Sequence, residues 1–335
     1  MNPAFHRARR GILGAAAAAV CLAACGTALA QSGAADYPAR QPIRLLVPAS
    51  PGGTTDILAR ILAEPLGRAL NQSVLVDNKA GGSGAIAAQT LISSPPDGYT
   101  LMFQYSAFHV ITPQITSGIN WDPMKDFTPV AHVMVAPQMV VVRSSLPIHS
   151  LAELVEYDRR NPGKLNYASS GMGSMQHVGA EMLNQMAKTK FVHIPYKGTG
   201  PALTDLISGA VDFTITTPPA LQAYIQQGKL RALAVTSTNR LASMPNVPTV
   251  AEAGFPDLQA SSWEAIYAPP GLPPAIVNKL ASTMKAVIST DEFRKRLETI
   301  GAEVVYMGPD ELARFTASEY KRFGVLVKAA NIRGE

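Results

Sequence analysis

The stretch Ile43-Arg44-Leu45-Leu46-Val47-Pro48-Ala49-Ser50-Pro51-Gly52-Gly53-Thr54-Thr55-Asp56 is read as a buried strand, a glycine turn and the start of a helix. Ile43–Val47 is a short apolar run of strand length. Asp56–Leu70 then places Ile57, Leu58, Ile61, Leu62 and Leu66 on one helical face. Between them, Gly52 and Gly53 would let a ligand approach the backbone, and Thr54, Thr55 or Asp56 can cap the helix. Free N–H groups at such a helix start, with the positive end of its dipole, make an anion site. An ordinary glycine-rich turn with an N-cap would use the same residues.

The same grammar continues outward. Val74–Asn78 is a second strand, Ala85–Ile92 a helix, Pro95-Pro96-Asp97-Gly98 a turn and Tyr99–Phe103 a third strand. This βαβαβ order implies a parallel sheet covered by helices. It restarts with strand-like Met139–Val142, the helix Leu151–Arg160 begun by Ser150, the strand Leu165–Ala168 and the helix His177–Ala187. Phe191–Ile194, Phe213–Thr216 and Leu230–Thr236 follow as strands, separated by helices over Pro201–Ser208 and Leu221–Gln227. Two repeats imply two α/β lobes with parallel-rich sheets. Val130–Val142 and Leu258–Ala268 are β-rich stretches where the chain can cross between them. The helices Ala275–Ser289 and Asp291–Ile300, the strand Glu303–Tyr306 and the helix Pro309–Ala329 would complete the first lobe. The expected division is residues 37–137 with 259–335 as one lobe and 138–258 as the other, with two crossover strands at a hinge beside a closing cleft.

A second loop between a strand and a helix is Ser169-Ser170-Gly171-Met172-Gly173-Ser174-Met175-Gln176-His177. Two anion-seeking loops, one per lobe, would face each other and suit a ligand with a carboxylate at each end. Neither contains Arg or Lys, so amides, hydroxyls and water would do the recognition. Lys197 is the nearest basic candidate, and a solvated or structural lysine explains it equally well.

The first 30 residues are expected to be a signal peptide. Arg7, Arg9 and Arg10 precede an uncharged run from Gly11 to Ala24, and Ala28-Leu29-Ala30 offers a cleavage site before Gln31. That run is shorter than the roughly 20 residues a membrane span needs. Leu22-Ala23-Ala24-Cys25 offers the alternative of a lipidated Cys25. The only cysteines, Cys21 and Cys25, lie in this leader, which removes thiolate catalysis and cysteine-ligated metals. Its three arginines supply more than half of the formal +5 charge. With no basic run elsewhere, nucleic acid is not an expected partner.

An enzyme fits poorly. Gly81-Gly82-Ser83-Gly84-Ala85 departs from the nucleophile elbow at its last position, and Gly173-Ser174-Met175 has the wrong phase. A secreted hydrolase would need Ser83 or Ser174 with His109, His132, His177 or His193 as base. Gly171-x-Gly173 lacks the third glycine of a dinucleotide site, and the histidines show no metal-ligand spacing.

Read in order, Tyr37-Pro38, Ile43–Asp56, Pro96–Leu101, Asp122–Phe127, Pro162–Gly171, His193–Gly198 with Pro201–Asp205, Leu230–Ser237 and Pro248–Gly254 form a set. That set closely resembles the Bug-type, TctC-like receptors of tripartite tricarboxylate transporters. The resemblance implies a two-lobed periplasmic binding protein fold of type II, no catalysis and no cofactor. It also implies a periplasmic location, a small carboxylate ligand and integral-membrane permease subunits as partners; a monomer is expected. In similar receptors the first-lobe loop holds a carboxylate partly through water, which by position falls on Ala49 to Asp56, including Ser50, Pro51, Gly52, Gly53, Thr54 and Thr55. The second-lobe loop corresponds to Ser169, Ser170, Gly171, Met172, Gly173 and Ser174.

Two departures bear on the ligand. The stretch after the third strand is small and Gly/Thr-rich in the family but reads Gln104-Tyr105-Ser106-Ala107-Phe108-His109 here. Tyr105 and Phe108 could stack on a flat, terephthalate-like dicarboxylate, or could pack in the core. Thr216-Thr217 stands where many relatives carry an acid and Asn, which points away from amino acids. A ligand-sensing subunit of a signalling system would share all these features.

Overall fold

The computed structural model describes residues 36–81, 84–258, 260–329 and 332. The leader with Cys21 and Cys25, and the candidate nucleophile Ser83, lie outside the described residues.

Apolar strands assemble into two sheets. In the first, β1 (Ile43–Val47) runs parallel to β2 (Val74–Asn78) and β3 (Thr100–Tyr105). The sheet extends through β10 (Ser261–Ala268), β4 (Thr128–Pro137) and β11 (Glu303–Met307), all antiparallel to their neighbours, in the order β11-β4-β10-β3-β1-β2. Side-chain alternation in β1 splits the core: Leu45 and Val47 face one way, Leu46 the other. The first face is covered by α1 (Thr54–Leu70), through Leu58, Leu62 and Leu66, and by α9 (Pro274–Ile288). The second is covered by α2 (Ala85–Ile92), α3 (Ser106–Val110), α4 (Thr112–Ile115) and α11 (Pro309–Ala329). α10 (Asp291–Thr299) leads into β11.

The second sheet has the order β7-β6-β8-β5-β9. β6 (Asn166–Ser169) is parallel to β7 (Val192–Pro195) and β8 (Phe213–Thr216), while β5 (Met139–Arg143) is antiparallel to β8 and β9 (Leu230–Val235). α5 (Leu151–Arg160) and α6 (Met175–Ala187) cover one face through Leu154, Ala180 and Leu183. α7 (Thr199–Ser208) covers the other through Ala202, Leu203 and Leu206. A 3-10 turn (Pro218–Ala220) and α8 (Gln222–Gln226) follow β8. Both sheets are thus mixed, with no excess of parallel pairings where parallel-rich sheets were expected. Each βαβ unit is parallel, and strands arriving from the other lobe enter antiparallel.

Val130–Val142, read as one β-rich stretch, divides at Gln138: β4 belongs to the first sheet and β5 to the second. The outward and return crossings lie side by side. The Gln138 amide donates to Thr236 Oγ1 at 2.8 Å and to the Ala260 carbonyl at 3.2 Å. The Thr236 hydroxyl donates to the same Ala260 carbonyl, and its amide to the Gln138 carbonyl at 2.8 Å. One buried threonine therefore clasps both crossings.

Candidate ligand-binding site

Between the lobes lies a cavity of about 920 Å³. Its walls come from the starts of α1, α2, α6 and α7, the ends of β3 and β8, and the inter-lobe crossings at Gln138, Ser262 and Glu264. The carboxyl ends of parallel strands meet helix N-termini here, the position where open α/β sheets hold ligands.

The first-lobe loop presents a bare helix start. Gly53 is the α1 N-cap and has no side chain to accept from the first turn, so the N–H groups of Thr54, Thr55 and Asp56 lack intrahelical acceptors. Gly53, Thr54 and Thr55 line the cavity. Thr54 Oγ1 reaches across to Thr217 Oγ1 of the second lobe at 2.5 Å. Asp56 turns back: it accepts from the Gly52 amide at 2.9 Å and pairs with Arg60 at 2.9 Å. Burial would raise its carboxyl, but hydrogen bonds from Arg60 and Gly52 prevail and hold it below the usual carboxylate range. Asp56 therefore shapes the loop from behind. Pro51 and Gly52 are exposed outside the cavity wall, and Ser50 is half-buried beside it.

The second-lobe loop differs from the expected bare anion nest. Four of its amides are already occupied: Ser170 donates to Gln176 Oε1, Gly171 to Ser169 Oγ, Gly173 to His177 Nδ1 and Ser174 to the Gly171 carbonyl. Ser174 Oγ caps α6 by accepting from the His177 amide. Ser170, Gly171, Met172 and Ser174 line the cavity, while Ser169 and Gly173 lie behind it. His177 and His193 stack 4.0 Å apart beneath this loop. Burial lowers His177 to about 4, and burial with the neighbouring His177 lowers His193 to about 3, so both rings are neutral acceptors or donors rather than cations.

The open helix start of the second lobe belongs to α7 instead. Gly198 is its N-cap, at φ +115, without a side-chain cap, and Gly198 and Thr199 line the cavity. A Cβ on Gly198 would run into the Ser50 side chain across the cleft, and one on Gly53 would approach Thr199 at 3.5 Å. The two glycine-capped starts thus face each other at close range. Its sequence signal was Gly198-Thr199-Gly200-Pro201, a glycine N-cap with proline in the first turn.

The stretch after β3 is only partly in the cleft. Tyr105 lines it, with its phenol raised to about 12 by burial. Phe108 does not: it is fully buried and stacks on Trp121 at 4.9 Å within the first-lobe core. Ring-stacking on a ligand by Phe108 is therefore corrected to core packing, because α3 turns its ring inward against Trp121 and Phe127. Ser106 and His109 are also fully buried and off the cavity wall. Ser106 meets Ser262 Oγ at 3.4 Å, while His109 bridges Gln104 and the Pro123 carbonyl, and burial lowers its ring to about 3.

Thr216 and Thr217 line the cavity as expected; Thr216 Oγ1 accepts from Gln176 Nε2 at 2.6 Å. The missing acid at Thr216 does not leave the cleft without one. Glu264 of β10 lines it, fully buried, with burial raising its carboxyl to about 8. No local sequence pattern marks Gln138 or Glu264, because strand register alone brings them to the cleft. Among the described residues no cluster of His, Cys, Asp and Glu is placed to hold a metal ion, and no helix is long and apolar enough to cross a membrane.

Two α/β lobes joined by paired crossings around a cleft define the solute-receptor class of binding protein. Residues 58–332 match the tripartite tricarboxylate transporter family receptor, TctC, and the chain belongs to that family. It is 36% identical to protein BugT of Bordetella pertussis over 293 residues, covering 87% of this chain and 90% of that one. Among solved structures it is similar to Rpa4515 of R. palustris with adipate, at a TM-score of 0.87 and 36% identity, covering 90% of this chain and 100% of that one. MatC from Rhodopseudomonas palustris with bound malate gives a TM-score of 0.81 at 31% identity, covering 87% and 100%. The periplasmic binding protein BugD gives 0.84 at 31% identity, covering 89% and 100%. The protein is accordingly a solute-binding receptor of a periplasmic family and not an enzyme.

Proposed function

We propose that this receptor captures a small dicarboxylate in the cavity lined by the α1 and α7 helix starts and delivers it, as a monomer, to the integral-membrane permease subunits of a tripartite transporter. The observation that carries this reading is the facing of the α1 and α7 starts, two of the three glycine-capped helix starts in the cavity wall (α2, capped by Gly84, is the third), with Lys197 the sole basic side chain among the described residues of the wall. Each start offers unpaired N–H groups and the positive end of a helix dipole to one carboxylate. Adipate and malate in the similar receptors make an aliphatic diacid the first choice. An aromatic diacid would have Tyr105 as a stacking surface but not Phe108. In this reading residues 37–137 with 259–335 close on 138–258 about the clasp at Thr236. Export would rest on the leader, cleaved after Ala30 or lipidated at Cys25; mass spectrometry of the secreted chain distinguishes the two.

The test is titration calorimetry with succinate, malate, adipate, terephthalate, citrate and glutamate. Saturable binding of at least one diacid, with a raised Tm, is expected, because only the native closed form holds the ligand. No saturable binding of any diacid would overturn the reading.

A further inference from the structure

Glu264 stands opposite Tyr105 of β3 and Met134 of β4, at the floor of the cleft. Its Oε1 accepts from Ser262 Oγ at 3.3 Å, while its Oε2 is buried with no hydrogen-bond partner. The Oε1 of Gln138, in the same wall and 1% exposed, is likewise unpartnered. Buried polar atoms left unpaired cost free energy, and in a cleft wall they mark where a ligand completes the hydrogen bonding.

We propose that Glu264 is a specificity-determining acid which enters the complex protonated and donates its O–H to a carboxylate of the bound ligand. This deepens the dicarboxylate-receptor reading and rests on it. Among the described residues no cation is placed to hold Glu264 ionised. The other titratable groups in the wall are Tyr105 on β3, and Tyr196 and Lys197 ahead of α7; Lys197 is exposed. On β4, His132 turns toward Trp263 and Phe315, and Asp56 of α1 is paired with Arg60. An ionised Glu264 would repel an anion held by the two helix starts, whereas a neutral carboxyl supplies the donor that such an anion lacks on this side. Burial alone raises this carboxyl to about 8, and a bound anion would raise it further. The contact is non-covalent: the proton stays shared between two carboxyl groups, and above the pKa one proton enters from solvent for each ligand bound.

Calorimetry with adipate and malate at pH 7 and pH 9 tests this. Affinity should fall about tenfold between the two, the factor by which the protonated fraction falls. Heats in buffers of different ionisation enthalpy should show uptake approaching one proton per ligand at pH 9. Glu264→Gln, whose amide still donates, should keep the pH 7 affinity and lose the pH dependence; Glu264→Leu should bind weakly at both. An affinity that rises with pH, or loss of binding in Glu264→Gln, overturns the proposal in favour of a carboxylate reserved for a cationic group. Unchanged binding in Glu264→Leu overturns it in favour of a structural role. Infrared difference spectra of the ligand-free protein give an independent readout. A protonated-carboxyl band present at pH 7 and absent from Glu264→Gln is expected, and its absence overturns the proposal even where Glu264→Leu fails to fold. Failure of every diacid to bind at pH 7 sinks the receptor reading, and the infrared band then decides the protonation of Glu264 by itself.

Discussion

The loops Ala49–Asp56 and Ser169–His177 share a strand–glycine–helix grammar and differ in what they leave unpaired. The first ends in Gly53, a cap with no side chain, and its helix keeps open N–H groups. The second ends in Ser174, and Ser169, Gln176 and His177 occupy three of its amides from within. Similar residue content thus leaves a glycine-capped, open helix start in one lobe and a loop braced largely by its own side chains in the other. Hydrogen-bonding capacity left over, rather than glycine content, decides which is which.

The largest effect should come from removing the true counterpart of the first loop. Gly198→Val places a side chain against Ser50 in a left-handed backbone, and should weaken adipate binding by about 2 kcal/mol, roughly thirtyfold. Unchanged affinity by calorimetry would return the second-lobe role to the Ser169–Ser174 loop.

Acid should then separate the two loops. His177 and His193 are neutral when folded, but a histidine in the unfolded chain takes up a proton below about pH 6.5. The folded values are depressed, so the stability they contribute is full above about 6.5 and is lost as pH falls toward about 4, the His177 value. The slope is about 1.4 kcal/mol per pH unit for each titrating ring. The Asp56 contribution is also lost on acidification, but only at the lower pH where carboxylates protonate. Thermal unfolding between pH 7 and 5 should show a falling Tm in the wild type and a flatter profile in His177→Gln.

Ser174→Ala should cost about 1 kcal/mol of stability by uncapping α6 and change adipate affinity little. A large loss of affinity with no loss of Tm would contradict the brace. The smallest effect is expected from Thr54→Val, which removes the inter-lobe bond to Thr217. It should weaken binding by about 0.7 kcal/mol, roughly threefold, seen as faster dissociation in stopped-flow fluorescence.

Much of the fold was legible because it is written in periodicity. Leu58, Leu62 and Leu66 recur at helical spacing, the βαβ units follow from alternating runs, and the core they form is the one observed. The site was legible only where glycine and hydroxyl residues mark a helix start, as at Gly53 and Thr54. Phe108 was ambiguous because its direction depends on α3, a helix of five residues whose turn brings the ring onto Trp121. Glu264 was silent because Ser-Ser-Trp-Glu-Ala-Ile-Tyr-Ala is an ordinary strand pattern. Its meaning comes from pairing with Tyr105, 159 residues earlier in the numbering of the register partners Glu264 and Tyr105. The α7 start carried a signal in Gly198 and Pro201, but the more conspicuous glycines at 171 and 173 outshone it.

The clasp of Gln138, Thr236 and Ala260 sets a short lever. If the lobes turn about it, Glu264, only a few positions beyond Ala260, sweeps a smaller arc than residues far from the clasp. A group near the pivot meets an incoming molecule in much the same place whether the jaws are apart or together, so it can sort molecules at first encounter. Residues far from the pivot meet their partners only at the end of the swing. Mutations near the pivot should therefore register in which molecules are admitted, and mutations far from it in how long an admitted one stays.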